Sequence, residues 1–125
     1  MARLGLLDDE DHPRVLPVTF VVHEGSLWTV VDRKPKRDPS REPARVDFLR
    51  RNPRAALTVD HYDDDWSRLA WVQVLGAVTV LEVDDEPEAL AALTAKYPQY
   101  GRERPPGPLL RMDPLRILCW SAVGG

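Results

Sequence analysis

Cysteine, long apolar runs and glycine-rich loops are scarce in this sequence, and each scarcity removes a class of protein. One residue of 125 is a cysteine, Cys119, so an internal disulfide framework and a thiolate zinc site are both excluded. Its place in an apolar run makes it, in expectation, a buried and inert thiol. No apolar stretch approaches the ~18 residues of a membrane-spanning helix. The opening Met1–Leu7 turns acidic at Asp8 instead of running on into the apolar segment and cleavage site of a secretory signal, so the expectation is a cytoplasmic protein that does not enter a membrane. Seven glycines include neither a dinucleotide fingerprint nor a phosphate loop. The four serines, Ser26, Ser40, Ser67 and Ser121, include no nucleophile elbow.

What is present fits one globular domain over residues 1–125, with 43% apolar and 30% charged residues. The net charge of −3 conceals an uneven distribution. Between Arg33 and Arg54 stand nine basic residues against Asp38, Glu42 and Asp47, a local charge of +6 inside an acidic chain. Such a compact excess points to a compact anionic ligand, whereas a nucleic-acid binder is more often basic over a whole face. The segment also lacks the interleaved aromatics that base stacking uses, so no nucleic-acid partner is expected.

The hydrophobic pattern reads as mainly β structure. Val15 to Val22 is apolar on both faces, as in a central strand or a barrel strand whose outer face meets a partner subunit. With Leu4 onward before it and Leu27–Asp32 after it, a three-stranded antiparallel meander is expected, because the connections are too short for parallel crossovers. Prolines 35, 39 and 43 interrupt regular structure. Pro43 then opens a short helix that buries Val46 and Leu49 and ends at Pro53. Arg54–Tyr62 and Leu69–Val83 read as strands, with a bulge or bend at Gly76. Pro87 opens an amphipathic helix with Leu90, Leu93 and Tyr97 on one stripe, and two last strands follow near Leu109–Met112 and Leu115–Ala122. Short strands with two brief helices make a small antiparallel barrel.

Chemistry-bearing clusters are few. His12, His23 and His61 lack metal-helix spacing. Asp60, Asp63, Asp64 and Asp65 lack the glycine and closing glutamate of a calcium loop, so no metal is expected. What remains is Arg33-Lys34-Pro35-Lys36-Arg37, four basic residues in five at the end of a strand, where cationic groups can converge on phosphate or carboxylate oxygens.

The succession Leu16-Pro17-Val18-Thr19-Phe20, Val31-Asp32-Arg33-Lys34-Pro35-Lys36-Arg37, Arg51-Asn52-Pro53-Arg54-Ala55-Ala56-Leu57 and Val59-Asp60-His61-Tyr62-Asp63-Asp64-Asp65-Trp66-Ser67-Arg68-Leu69 resembles the pyridoxamine 5'-phosphate oxidase-like split-barrel superfamily. Lys96-Tyr97-Pro98-Gln99-Tyr100 and Trp120-Ser121-Ala122 extend the likeness, and within the superfamily the chain is most similar to the coenzyme F420-dependent oxidoreductase branch. The resemblance implies an antiparallel six- or seven-stranded split β-barrel of the FMN-binding type, and a homodimer with a flavin-like cofactor at the subunit interface. It implies that Pro17, Val18 and Thr19 border a deazaflavin ring. Arg33, Lys34, Lys36 and Arg37 would meet the phosphate and acidic tail, and Trp66 and Arg68 would wall the groove, in one version from the other subunit. The expected activity is hydride transfer between F420 and a small unsaturated or electron-poor acceptor, with Tyr62 or His61 as a proton donor and no obligatory catalytic base. FMN is the alternative cofactor, and a non-catalytic flavin, deazaflavin or haem carrier the alternative role. Two features depart from the family pattern: the chain opens almost directly on its first strand where relatives begin with a helix, and Asp38-Pro39-Ser40-Arg41-Glu42-Pro43 stands where relatives continue a basic helix.

Overall fold

Strands form where β-branched and apolar residues run between polar turns. In the structure, a computed structural model that describes residues 1–32 and 43–122, they are β1 (Ala2–Leu7), β2 (Pro13–Val18), β3 (Val21–His23), β4 (Ser26–Val30), β5 (Arg54–His61), β6 (Ala70–Leu81) and β7 (Leu109–Ser121). Among the described residues these seven make one antiparallel sheet in the order β2-β1-β5-β6-β7-β4-β3. The fold is thus mainly β, as the sequence indicated, with the short helices α1 (Ala44–Arg51), α2 (Pro87–Lys96) and α3 (Gln99–Arg102). None of them is long and apolar enough to cross a membrane.

One feature of the order governs the rest. Strands β2 and β3 lie at opposite edges of the sheet, yet only Thr19 and Phe20 separate them in the chain. The three Cα–Cα steps from Val18 to Val21 span no more than about 11 Å, so the sheet must roll until its edges meet at this joint. The expected meander is corrected accordingly. The segment through 15–22 is not a central strand flanked on both sides, because its first half pairs only with β1 (Ala2 opposite Val18) and its second half only with β4 (Val21 opposite Trp28). Val15 and Val22 remain uncovered, 70% and 65% exposed.

Two turns are set by short-range chemistry. Between β1 and β2, the buried Asp8 accepts from the backbone N–H groups of Glu10 and His12, each at 2.9 Å, and Arg51 of α1 donates to the Asp8 carbonyl at 2.7 Å. Between β3 and β4, Glu24 and Gly25 have φ of 51° and 78°, the pair of positive values that a tight two-residue hairpin requires.

Leu4, Leu57, Val78, Leu110 and Met112 fill the rolled sheet, and Leu49 of α1 joins them. A second cluster packs Ala89 and Leu93 of α2 and Tyr100 of α3 on Trp28, Val30 and Leu109. The bulge expected at Gly76 is present, as a register shift between Leu75 and Gly76. It also corrects the reading of two final strands. Strand β7 runs unbroken through Pro114, which pairs with Gly76 at the irregularity, where a missing N–H is tolerated. Cys119 is exposed, not buried, because the far end of the β6–β7 ribbon extends past the core.

Candidate functional site

The Thr19–Phe20 joint leaves the sheet ladder, so its backbone groups need other partners. Helix α2 and the turn after it supply them. The Tyr97 hydroxyl accepts from the Phe20 N–H at 3.1 Å and lies 3.2 Å from the Phe20 carbonyl, to which it donates. Lys96 Nζ donates to the same carbonyl at 2.7 Å and sits 3.6 Å above the centre of the Phe20 ring. The hydroxyls of Thr19 and Tyr100 are 2.8 Å apart.

Tyr100 is the centre of a larger polar cluster. It is 5% exposed, and this burial raises its pKa, while the Thr19 hydrogen bond opposes the rise and Asp32 adds to it by charge and by accepting from the phenol. Arg45, in the first turn of α1, has its pKa lowered by burial, against the stabilising charges of Asp32 and Tyr100. Asp32 directly precedes the Arg33–Arg37 run, and Arg45 stands after that run in the chain. Both therefore lie within electrostatic range of Tyr100, which itself contacts Thr19.

On its other side the joint borders an open apolar groove of about 370 Å³, lined among others by Phe20, Val22, Val59, Val72, Val74 and Ile117. Alternation along the strands carries this face outward along β6 and β7, where Val72 is 42% and Ile117 62% exposed. On the opposite face of the same ribbon the exposed Trp71 and Trp120 stand directly across from each other. A groove of this size, almost wholly apolar in its lining, has room for the face of a planar ring.

Residues 1–121 match the family described as pyridoxamine 5'-phosphate oxidase. The chain belongs to that family. Among solved structures it is similar to a conserved hypothetical protein from Mycobacterium tuberculosis (TM-score 0.78, 16% identity, covering 98% of this chain and 77% of the other). It is also similar to an FAD-binding protein from Mesorhizobium loti (TM-score 0.70, 17% identity, 94% and 81%) and to HutZ, the heme storage protein from Vibrio cholerae (TM-score 0.74, 12% identity, 96% and 84%). At these identities the likeness is one of fold. Comparison with curated protein sequences returns no match.

Within the pyridoxamine 5'-phosphate oxidase family frame, the residues singled out in the sequence fall into three groups. Pro17 and Val18 end β2, opposite Arg3 and Ala2, and Thr19 begins the joint. Arg33, Lys34, Lys36 and Arg37 lie outside the described residues, as do Pro35 and Pro39. Trp66 and Arg68 occupy a 3₁₀ turn at the β5–β6 connection. Trp66 is 73% exposed, and Arg68 pairs with Asp63 at 3.6 Å. Among the described residues neither shares a hydrogen bond or ion pair with Pro17, Val18 or Thr19. Sequence reasoning assigned no role to Lys96, Tyr100, Asp32 or Arg45, and placed Tyr97 only on a helix stripe. The signal was the Lys96-Tyr97-Pro98-Gln99-Tyr100 block, in which Pro98 stops α2 and turns both tyrosines back toward the joint.

Proposed function

We propose that the protein is an oxidoreductase that binds coenzyme F420 beside the Pro17–Thr19 strand end, as a homodimer, and acts on a small unsaturated or electron-poor acceptor. The observation that carries this reading is the contact of Thr19 with the buried Tyr100 at 2.8 Å, with Asp32 and Arg45, on either side of the Arg33–Arg37 run in the chain, acting on Tyr100 electrostatically. A molecule whose ring lies along the strand end would have its charged tail within reach of Arg33, Lys34, Lys36 and Arg37. When bound, the deazaflavin supplies hydride-transfer chemistry. The chain's own part is to orient the ring edge, to surround it with apolar groups that exclude water, and to match the tail's charge. Tyr62, 71% exposed, and His61 stand at the end of β5 as candidate proton donors. The uncovered apolar residues on the two faces of the β6–β7 ribbon, Val72 and Ile117 on one and Trp71 and Trp120 on the other, are those that a second copy wrapping the ribbon would cover, and Trp66 and Arg68 would then reach the site from the partner. FMN also carries a ring and a phosphate, and the FAD-binding neighbour favours it as the second reading. F420 uses the +6 segment more fully because its tail adds carboxylates.

The test is equilibrium titration with F420, FMN and haem in parallel, with light scattering to give the solution mass. F420 should bind most tightly to a dimer, and the double change K34A/K36A should weaken it at least tenfold, since charge-assisted hydrogen bonds contribute about 1.5–3 kcal/mol each. A strictly monomeric protein, tighter binding of haem, or affinity unchanged by the double change would overturn the reading.

A further inference from the structure

Val22 lines the apolar groove, and alternation along β3 turns the next residue, His23, to the opposite side, toward α2. There one imidazole nitrogen of His23 and one carboxylate oxygen each of Glu24 and Glu88 lie within 4.8 Å of one another, with His23 Nε2 3.9 Å from Glu24 Oε1. Among the described residues this is the one place where three metal-ligating side chains gather so closely. Chain spacing hides the group, because Glu88 comes from a distant part of the sequence. Each member is placed by its own element. Glu24 stands in the hairpin turn between β3 and β4, with φ of 51°, and Glu88 follows Pro87 in the first turn of α2. The His23 side chain is 23% exposed and is set by the buried Trp28. The indole Nε1 donates to the His23 carbonyl at 3.1 Å, and the two rings meet edge to face with centres 6.3 Å apart.

The first turn of a helix favours an acidic residue, which accounts for Glu88 by itself. It does not account for a second carboxylate brought up from another element, since like charges at this range repel. Among the described residues no lysine or arginine pairs with either glutamate. With the imidazole neutral, the three groups carry two negative charges and offer three lone-pair donors. We propose that His23, Glu24 and Glu88 bind a divalent first-row transition ion that clips the β3–β4 hairpin to the start of α2. Bond lengths of about 2.0–2.2 Å to nitrogen and oxygen put donors about 3.3 Å apart around a tetrahedral ion. The exposed glutamate side chains therefore need to close in by no more than about 1.5 Å, which rotation about their own bonds supplies. The imidazole selects against Mg²⁺ and Ca²⁺, which take oxygen donors, and water completes the coordination. Gly25 and Ser26 of the same hairpin line the apolar groove, so the ion fixes one wall of that groove from behind.

The experiment is calorimetric titration of the full, tag-free chain with Zn²⁺, with Mg²⁺ as the oxygen-preferring comparison and thermal melting as a second readout. One Zn²⁺ should bind per chain, excess Mg²⁺ should not displace it, and the melting temperature should rise because the ion favours the folded chain. H23A, E24Q and E88Q should each weaken Zn²⁺ at least tenfold and shrink that rise. H12A, H61A and C119S remove other exposed ligating side chains and should leave the affinity within twofold of the parent. No saturable binding, displacement by Mg²⁺, or a loss that follows the second set of variants instead of the first would overturn the proposal. E24Q and E88Q alter only exposed side chains, so they decide the matter even if H23A fails to fold. Neither outcome depends on which ring cofactor the protein takes.

Discussion

Removing the Tyr97 hydroxyl should destabilise the protein more than removing the Lys96 ammonium, although the lysine makes the shorter bond. In Y97F the Phe20 N–H loses its partner at 3.1 Å, at a joint where no neighbouring strand can replace it. An unpaired, partly buried donor costs about 1–3 kcal/mol, and half-burial of the joint places the expected loss near about 1–2 kcal/mol. The Phe20 carbonyl keeps Lys96 at 2.7 Å. In K96M the same carbonyl keeps Tyr97 at 3.2 Å, so nothing is orphaned. What is lost is a solvent-exposed charged donor and its contact 3.6 Å from the Phe20 ring centre, together about 0.5–1 kcal/mol. In the double variant the carbonyl is bare, so its loss should exceed the sum of the singles by about 0.5–1 kcal/mol. Urea melts of the three variants, compared by midpoint at constant slope, measure all of this. A K96M loss as large as that of Y97F, or strict additivity, would refute the account of the joint as backbone groups that share two donors.

Two further predictions concern the frame. A Cβ at Gly76 would collide with the Asp113 carbonyl and meet the Met112 side chain at 3.0 Å; G76A should therefore cost at least the about 1–3 kcal/mol typical of overpacking, seen as a lower melting temperature with faster amide exchange around Leu115. The Asp8 carboxyl is held below its ordinary pKa, chiefly by the backbone N–H of His12 and also by those of Glu10 and the guanidinium of Arg14, against the opposing effect of burial. A depressed pKa means stability that is present above the unfolded value of 3.8 and lost as pH falls through the lower folded value. D8N should melt lower than the parent at pH 7, and the gap should close in scans carried below that range. A gap independent of pH would assign the effect to shape instead of charge.

The strands were legible because their apolar alternation is a local property, and so were Val46 and Leu49 on α1, Leu93 on α2 and the irregularity at Gly76. What the pattern could not convey is partnership. Val15 to Val22 reads as one strand whether its halves share neighbours or lie at opposite edges of the sheet, because the run stays apolar and rich in β-branched residues through Thr19 and Phe20. Likewise Pro114 reads as a break until Gly76 is seen across from it. The site divides along the same line. Thr19 was singled out only through the likeness of its Leu16–Phe20 block to the family, whereas Tyr100 contacts it from 81 residues away, and Asp32 and Arg45, thirteen residues apart in the chain, both act on that tyrosine electrostatically. The exposure of Cys119 is another such case: its apolar context is real, but that context belongs to a ribbon that outruns its own core.

The two-residue crossing at Thr19 and Phe20 works as a seam with a parity rule. Successive side chains there point to opposite sides, one toward the tyrosine pocket and the other toward the greasy trough, so inserting or deleting a single residue would exchange them and put each against the wrong wall. The chain can therefore vary in length at its hairpin tips more freely than at this stitch, where a shift of one position would undo closure of the barrel and the Thr19–Tyr100 contact together.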